Sequence, residues 1–508
     1  GNNNTSIGSA SLYSQTTGAN NTALGNSALF SNTTASENTA VGYQSLYSNT
    51  TGGVNVAVGE KALYANTTGV ANTALGRQAL KANTTANFNI AVGAEALSSN
   101  TTGANNTAIG YASSDSITTG FSNVAIGFGS LGFDQKGNRS TAIGYRALGT
   151  QRFTSDTDTF NTAVGYDAGL EITTGTQNTL IGGLSGNAIT TGTRNTALGT
   201  NSLGSNTTGD DNVAVGVNAL DTNTTGSDNT AIGKNALDDN TTGSDNVAVG
   251  LSALESNTNG HSNVAVGVRT LSTSQTASYN IGIGYESGFS TTTGVDNIFI
   301  GRYAGNDNTT GGDNTAVGSR AGIGLTTGNN NVLIGHDAGR SGSPGGEINS
   351  DNNFIVIGDE NIQYFRTAVG VTATSDQRDK TDFTPLDIGL DFVKALAPVT
   401  YKWDKRSKYG DKTASDYDLN AQTPDGTHKE DWLDVGFKAQ EVEALEIASG
   451  YNKDNNTNLI SSITPDGTSY GLTYEKFIPV LVKAIQELSA KNDALEARIA
   501  TLEGYTAS

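Results

Sequence analysis

The stretch from Asn21 to Gly59, NTALGNSALFSNTTASENTAVGYQSLYSNTTGGVNVAVG, holds three copies of one block and decides what kind of object this chain builds. The block reads Asn, then Thr or Val, then Ala, then Leu or Val, then Gly, and it closes at Gly25, Gly42 and Gly59. The same glycine recurs from Gly8 to Gly144 in steps of 17 residues; after a step of 21 to Gly165 the period resumes through Gly335, and a step of 23 reaches Gly358, giving 21 copies. A fixed period of this length means stacked coils, a solenoid in which each unit buries its apolar face against the next.

Within the block the second position is Thr, Val or Ile (Thr39, Val56, Ile90) and the fourth is Val, Ile or Leu (Val41, Val58, Val92), so the two lie on one face of a strand. The residue between them is nearly always alanine (Ala23, Ala40, Ala57). The pattern predicts a parallel β-solenoid whose branched residues point inside the chain, while the small alanine face lies against copies of the same chain. Three late blocks and one isolated earlier one carry a larger central residue, Phe299, Leu333, Val356 and Leu180, and the late ones would push neighbouring chains apart or fill a widening axis near the C-terminal end. Glycine after the strand and the Asn-Thr-Thr-Gly segments supply turns, and the asparagines opening the strands, Asn21, Asn38, Asn55 and Asn72, are expected to bond coil to coil as an amide ladder. Asp211, Asp228 and Asp245 recur in phase, as do Asp296 and Asp313. A solvated turn is preferred there over a calcium site, because the columns are short and the glycine-rich calcium motif is absent. The segments YRALGTQRFTSDTDTF (145–160) and GRSGSPGGEINSDNN (339–353) break the period and are expected to be exposed loops.

Composition divides the chain. Of 64 glycines, 56 precede Ser375, whereas both tryptophans and five of the six prolines follow it. A formal net charge of −20 disfavours nucleic acid and anionic membranes as partners. No apolar run is long enough for a bilayer span, and with no cysteine there is neither a disulfide nor a thiolate metal site. The three histidines, His261, His336 and His428, are too scattered to form a ligand set, so no metal or cofactor is expected. The chain opens at Gly1 without methionine, and an attachment region is expected to precede it.

After Ser375 the pattern becomes mixed α and β. Leu481, Ile485, Leu488, Asn492, Leu495, Ile499 and Leu502 alternate steps of four and three, a heptad seam on a helix expected over 476–503, with Asn492 as a register-fixing polar residue. Isoleucine at a with leucine at d by itself favours two strands, so the seam alone does not specify three.

The first 370 residues resemble the head repeats of trimeric autotransporter adhesins and the β-solenoid shafts of phage tail fibres, on the strength of the recurring block. Residues 371–508 closely resemble the C-terminal intramolecular chaperone domain of phage endosialidases, tailspikes and tail fibres. The motifs are TSDQRDK (374–380), LAPVTYKW (396–403), GFKAQEV (436–442) and YEKFIPVLVKAIQEL (474–488), in that order. The resemblance implies a domain that trimerises, brings three chains into register and then cuts the backbone ahead of a serine. It makes Ser375 the nucleophile on the Thr374 carbonyl and Lys380 the base, with Asp376 and Arg378 shaping the turn. A serine hydroxyl becomes nucleophilic only when a neighbour takes its proton, and a lysine does so only when desolvated or crowded by cations. Asp379 stands where the family carries an apolar residue, and its charge would hold Lys380 in the protonated form and slow the cut.

The expected protein is therefore a homotrimeric phage tail fibre exposed on the virion. Its partners would be a host-cell surface receptor, a glycan or surface protein, and other tail proteins through the preceding region, with no nucleic acid and no membrane insertion. Its one enzymatic act would be a single self-cleavage by a serine–lysine dyad. The competing reading is a bacterial trimeric surface adhesin that retains the domain as a cap. A polysaccharide-degrading spike would need a carboxylate pair in a cleft, and the regular coils offer no insertion large enough to build one.

Overall fold

A computed structural model describes residues 2–362, 365, 366, 368, 375–410, 417–452, 454, 457–464 and 466–506, in two compact units, 1–314 and 315–508. Among the described residues there are 21 three-residue strands of the repeating block, the last three, Thr315–Val317, Val332–Ile334 and Ile355–Ile357, in the second unit. Within each unit successive strands pair in parallel one coil apart, as in Thr39 with Val56, Ala40 with Ala57 and Val41 with Val58. The irregular steps leave this register intact: Thr141 pairs with Thr162 and Val332 with Ile355. The extra residues leave the coil between Gln151 and Asn161 and between Gly339 and Ile348. These segments are not simply exposed loops, because Phe153, Thr159, Ser343 and Ile348 are buried.

The strand faces are opposite to the expectation. Residues two apart do share a face, but it is the outer one: Val56 is 39% and Ile90 43% exposed, while the alanines between them are fully buried inside the single chain. The reason is the width of the coil. A three-residue strand turns back almost at once, and the wall facing Ala40 carries Leu46, itself fully buried, with Asn38, Ser45 and Asn49 closing the ends. Once a leucine projects from the opposite wall, only alanine fits at the strand centre at ordinary packing density.

The larger central residues obey the same constraint, and they fill the coil interior, not an axis between chains. Phe299 lies between Gly288 and Gly305, the two positions that would be leucine in other coils; a Cβ added at these glycines would stand 2.7 and 2.4 Å from its ring. Leu180 is likewise flanked by Gly169 and Gly186, and Leu333 by Gly322 and Gly339. Conversely Gly282 makes room for Leu271, whose Cγ would lie 3.0 Å from an added Cβ. Bulk is exchanged across the coil at nearly constant volume.

The turn opposite the strand is held in an uncommon conformation. Gln44 and Leu46 have φ of 56° and 51°, and equivalent residues repeat this in nearly every coil. Left-handed backbone costs about 1–2 kcal/mol for a residue with a side chain. Burial of one leucine returns about 1.5–3 kcal/mol. Lateral hydrogen bonds add to this: Leu46 N–H donates to Ala62 O (3.0 Å) and Gln44 N–H to Asn26 O (3.0 Å), so alternate amides reach the following and preceding coils. The glycine that closes the strand has no such freedom. At Gly42 (φ 126°) an added Cβ would stand 2.7 Å from Gly59 O in the next coil.

Two asparagine columns, not one, run through the interior. Asn55 N–H donates to Asn38 Oδ1 (3.0 Å) and its Nδ2 to Gly69 O (2.9 Å). The asparagine of the Asn-Thr-Thr-Gly segment forms the second column, Asn49 Nδ2 donating to Asn32 Oδ1 (2.8 Å) and Gly52 O (2.9 Å). These amides satisfy carbonyls and N–H groups that the tight corners would otherwise leave buried and unpaired, a cost of about 1–3 kcal/mol for each group.

In the second unit the segment after Ser375 forms helices α1 (Leu390–Ala395), α2 (Ala439–Ala448) and α3 (Phe477–Thr506), with antiparallel pairs Val399–Tyr401/Asp434–Gly436 and Ser461–Ile463/Tyr470–Leu472. Its core joins Ile388, Phe392, Val442, Ile460, Phe477 and Val480. Glu446 of α2 is fully buried but well partnered, accepting from the N–H groups of Leu459 (2.8 Å), Ile460 (2.5 Å) and Ser461 (3.0 Å), which pins α2 to the start of the Ser461–Ile463 strand. Glu487 of α3 accepts from the Leu390 N–H at 2.8 Å and so caps α1. Helix α3 buries Phe477, Val480 and Ala484. Its other apolar residues, among them Leu481, Ile485 (66%), Leu488, Leu495, Ile499 and Leu502, are exposed in the single chain.

Candidate self-cleavage site

Ser375 and Lys380 meet because a short 3-10 turn, Gln377–Asp379, folds the chain back between them. Asp376 starts that turn, its Oδ1 accepting from the Arg378 N–H at 2.9 Å, and the Lys380 N–H closes it on Gln377 O at 3.2 Å. The guanidinium of Arg378 returns onto the same carboxylate, Nη2 to Oδ2 at 2.5 Å, and holds the Asp376 carboxyl below the usual carboxylate range. In this setting Lys380 Nζ donates to Ser375 Oγ at 2.5 Å. The pair expected from the motif is therefore assembled by local structure alone. Thr374 lies outside the described residues. Asp376 and Arg378 form the turn, and among the described contacts the Lys380 amine rests on Ser375 and not on Asp379.

Ser375 through Lys380 are all exposed. The single chain thus supplies proximity but not the desolvation that frees an amine to take a proton. Geometry puts the Ser375 hydroxyl and the Lys380 amine within hydrogen-bond reach of each other.

Other clusters bear on function. His336 Nδ1 lies 3.5 Å from Asp337 Oδ2 and 3.4 Å from Asp359 Oδ2, a trio compact enough to hold a cation. Arg320 already donates to that Asp337 oxygen at 2.6 Å, and Arg340 stands 3.6 Å away, so guanidinium charge fills the role of a metal. The aspartates at 211, 228, 245, 296 and 313 share φ of 58–61°, a left-handed turn position that short polar side chains tolerate best. Arg194 grips Asp211 with two bonds of 2.6 and 2.7 Å.

One charged column escaped the sequence reading. Asp221, Asp238 and Glu255 recur every 17 residues on the wall just after the buried leucine. Burial first, and then the negative charges of Asp221, Asp239 and Glu255, push Asp238 up to about 6. Their phase was the available signal.

A parallel β-solenoid of about 17-residue coils joined to a small domain with a long terminal helix has the make-up of a tail-fibre-like protein with a C-terminal chaperone. Residues 375–451 match the family described as chaperone of endosialidase, and the match opens on Ser375 itself. It includes Asp376, Arg378 and Lys380 and ends before α3. No curated protein and no solved structure matches the chain.

Proposed function

We propose that three copies of this chain assemble into a phage tail fibre, a receptor-binding shaft of residues 1–370 whose C-terminal domain, 371–508, acts as an intramolecular trimerisation chaperone and cuts the chain at Thr374–Ser375. The observation that carries the reading is apolar surface left without a partner in the single chain. The outer strand faces (Val56, Ile90, Ile283) and the heptad seam of α3 (Ile485, Leu488, Leu495) are both exposed, and each repeats along its own element, as a face met by identical chains would. Asn492 interrupts the seam and would be costly to bury out of register.

Assembly then governs the chemistry. Packing of neighbouring copies over Ser375 and Lys380 removes water, and the lysine in its neutral form accepts the serine proton. The Ser375 Oγ–Thr374 carbonyl carbon bond forms, and the peptide C–N bond breaks as the proton passes to the leaving nitrogen. Water hydrolyses the resulting ester and restores the hydroxyl. The shaft presents its surface to a host-cell receptor as part of the virion. The match to the chaperone of endosialidase favours this over a bacterial adhesin with a retained cap.

Denaturing gels of the native chain beside Ser375→Ala and Lys380→Ala test the cut. A fragment of roughly 15 kDa from the native chain, absent from both variants, is expected. A native chain that stays full length after assembly would leave the domain a retained cap.

A further inference from the structure

The six residues by which the final coil exceeds the usual period, 23 against 17, emerge between Gly339 and Ile348 as a loop, and the C-terminal domain is seated on it. The loop is ordered by itself: Ser343, buried, donates from Oγ to Gly346 O (2.9 Å), and Gly346 N–H donates to Ser343 O (2.9 Å). Two of its glycines lack a Cβ where the domain comes closest. At Gly346 (φ 73°) an added Cβ would be 2.8 Å from Thr464 Cβ and 2.9 Å from Asp466 Oδ1, and at Gly342 (φ 92°) it would be 3.0 Å from Ser407 Cβ.

The domain side is equally prepared. Asp466 Oδ1 accepts from Thr464 Oγ1 (2.6 Å), Thr468 N (3.0 Å) and Thr468 Oγ1 (2.7 Å), which fixes the carboxylate and aims Oδ2 at the Glu347 N–H, 3.0 Å away. Burial opposes that charge, but the hydrogen bonds prevail and hold Asp466 below the usual carboxylate range. A second arm comes from Lys405, whose Nζ donates to Glu360 O at 2.5 Å, just past the last strand. Trp403 and Trp432, the two tryptophans of the chain, line a cleft of about 950 Å³ together with Lys405, Pro344 and Glu360.

We propose that the loop 340–347 is a socket for the C-terminal domain, and that Asp466 and Lys405 hold the domain on the end of the solenoid after the backbone between them is severed. Its ligand is a segment of the same chain, recognised through backbone N–H and C=O groups that a carboxylate and an ammonium satisfy. Charge-assisted bonds of this kind are among the stronger polar contacts. The socket does not depend on whether Ser375 cuts.

The test uses the full chain carrying Ser375→Ala, with a site-specific protease sequence inserted between Val371 and Thr372. After cutting, the C-terminal piece is expected to co-elute with the shaft on gel filtration, with tryptophan emission unchanged. The Asp466→Ala and Lys405→Ala pair should raise the dissociated fraction about 10- to 100-fold and shift the emission, as loss of two charge-assisted bonds implies. Asp466→Asn, which keeps an acceptor, should remain seated. Separation of the unsubstituted piece on cutting, or a double variant that stays as firmly bound as its parent, would overturn the proposal.

Discussion

Phe299 offers the sharpest test of how the solenoid interior is built. Truncation to alanine removes a fully buried ring from a coil whose two facing positions are glycine, so nothing can collapse into the space. Such losses cost about 3–5 kcal/mol. Gly305→Leu alone should also destabilise, since its Cβ would lie 2.4 Å from the Phe299 ring. Backbone strain is not the obstacle there: Gly305 has φ 56°, and Leu46 and Leu63 occupy the equivalent site at 51° and 52°. The triple variant Phe299→Ala, Gly288→Leu and Gly305→Leu rebuilds the leucine–alanine–leucine packing of the early coils. It should recover most of the lost stability, with a favourable interaction of about 2 kcal/mol or more relative to the sum of the single changes. Hydrogen exchange at Gly288 N–H, bonded to Ala304 O at 2.8 Å, and at Asn308 N–H reports this coil locally. If the triple variant exchanges as fast as the separate losses predict, the account of bulk traded across the coil is wrong.

Two further outcomes follow from the charged column and the terminal helix. Because Asp238 titrates near 6 in the fold and near 3.8 in a free chain, its burden on stability is absent below about pH 4 and grows as pH rises to 6 and beyond. Its carboxyl is partly solvated, so screening reduces the effect to about 1 kcal/mol; Asp238→Asn should raise the denaturation midpoint at pH 7 but not at pH 3.5, and equal shifts at both would contradict the assignment. Ile485→Asp on the exposed seam of α3 should leave the single-chain fold unchanged while removing about 1.5–3 kcal/mol of apolar burial per chain from any assembly. Sedimentation showing the same oligomer before and after would place the partner surface elsewhere.

The linear order of residues revealed a good deal. The 17-residue spacing of the block glycines, with its two longer steps, located the 21 strands of the repeating block and their register, since each coil must present the same groups to the next. The steps of four and three from Leu481 to Leu502 placed the terminal helix, observed over Phe477–Thr506, and the TSDQRDK motif pointed to a serine and a lysine that a 3-10 turn does bring to 2.5 Å. Periodicity says which residues share a face, but not which face is inside. That was decided by the width of the coil, which depends on Leu46 opposite Ala40, a residue outside the strand altogether. The second asparagine column was hidden for a similar reason, because Asn-Thr-Thr-Gly reads as a surface turn, and only the fold turns its asparagine inward while a threonine stays exposed. The seating of Asp466 on Glu347, 119 residues apart in the chain, is a contact that no local pattern encodes. Spacing along the chain controls what repeats; the distance across the fold, set by the volume of whatever stands on the far wall, controls what is buried.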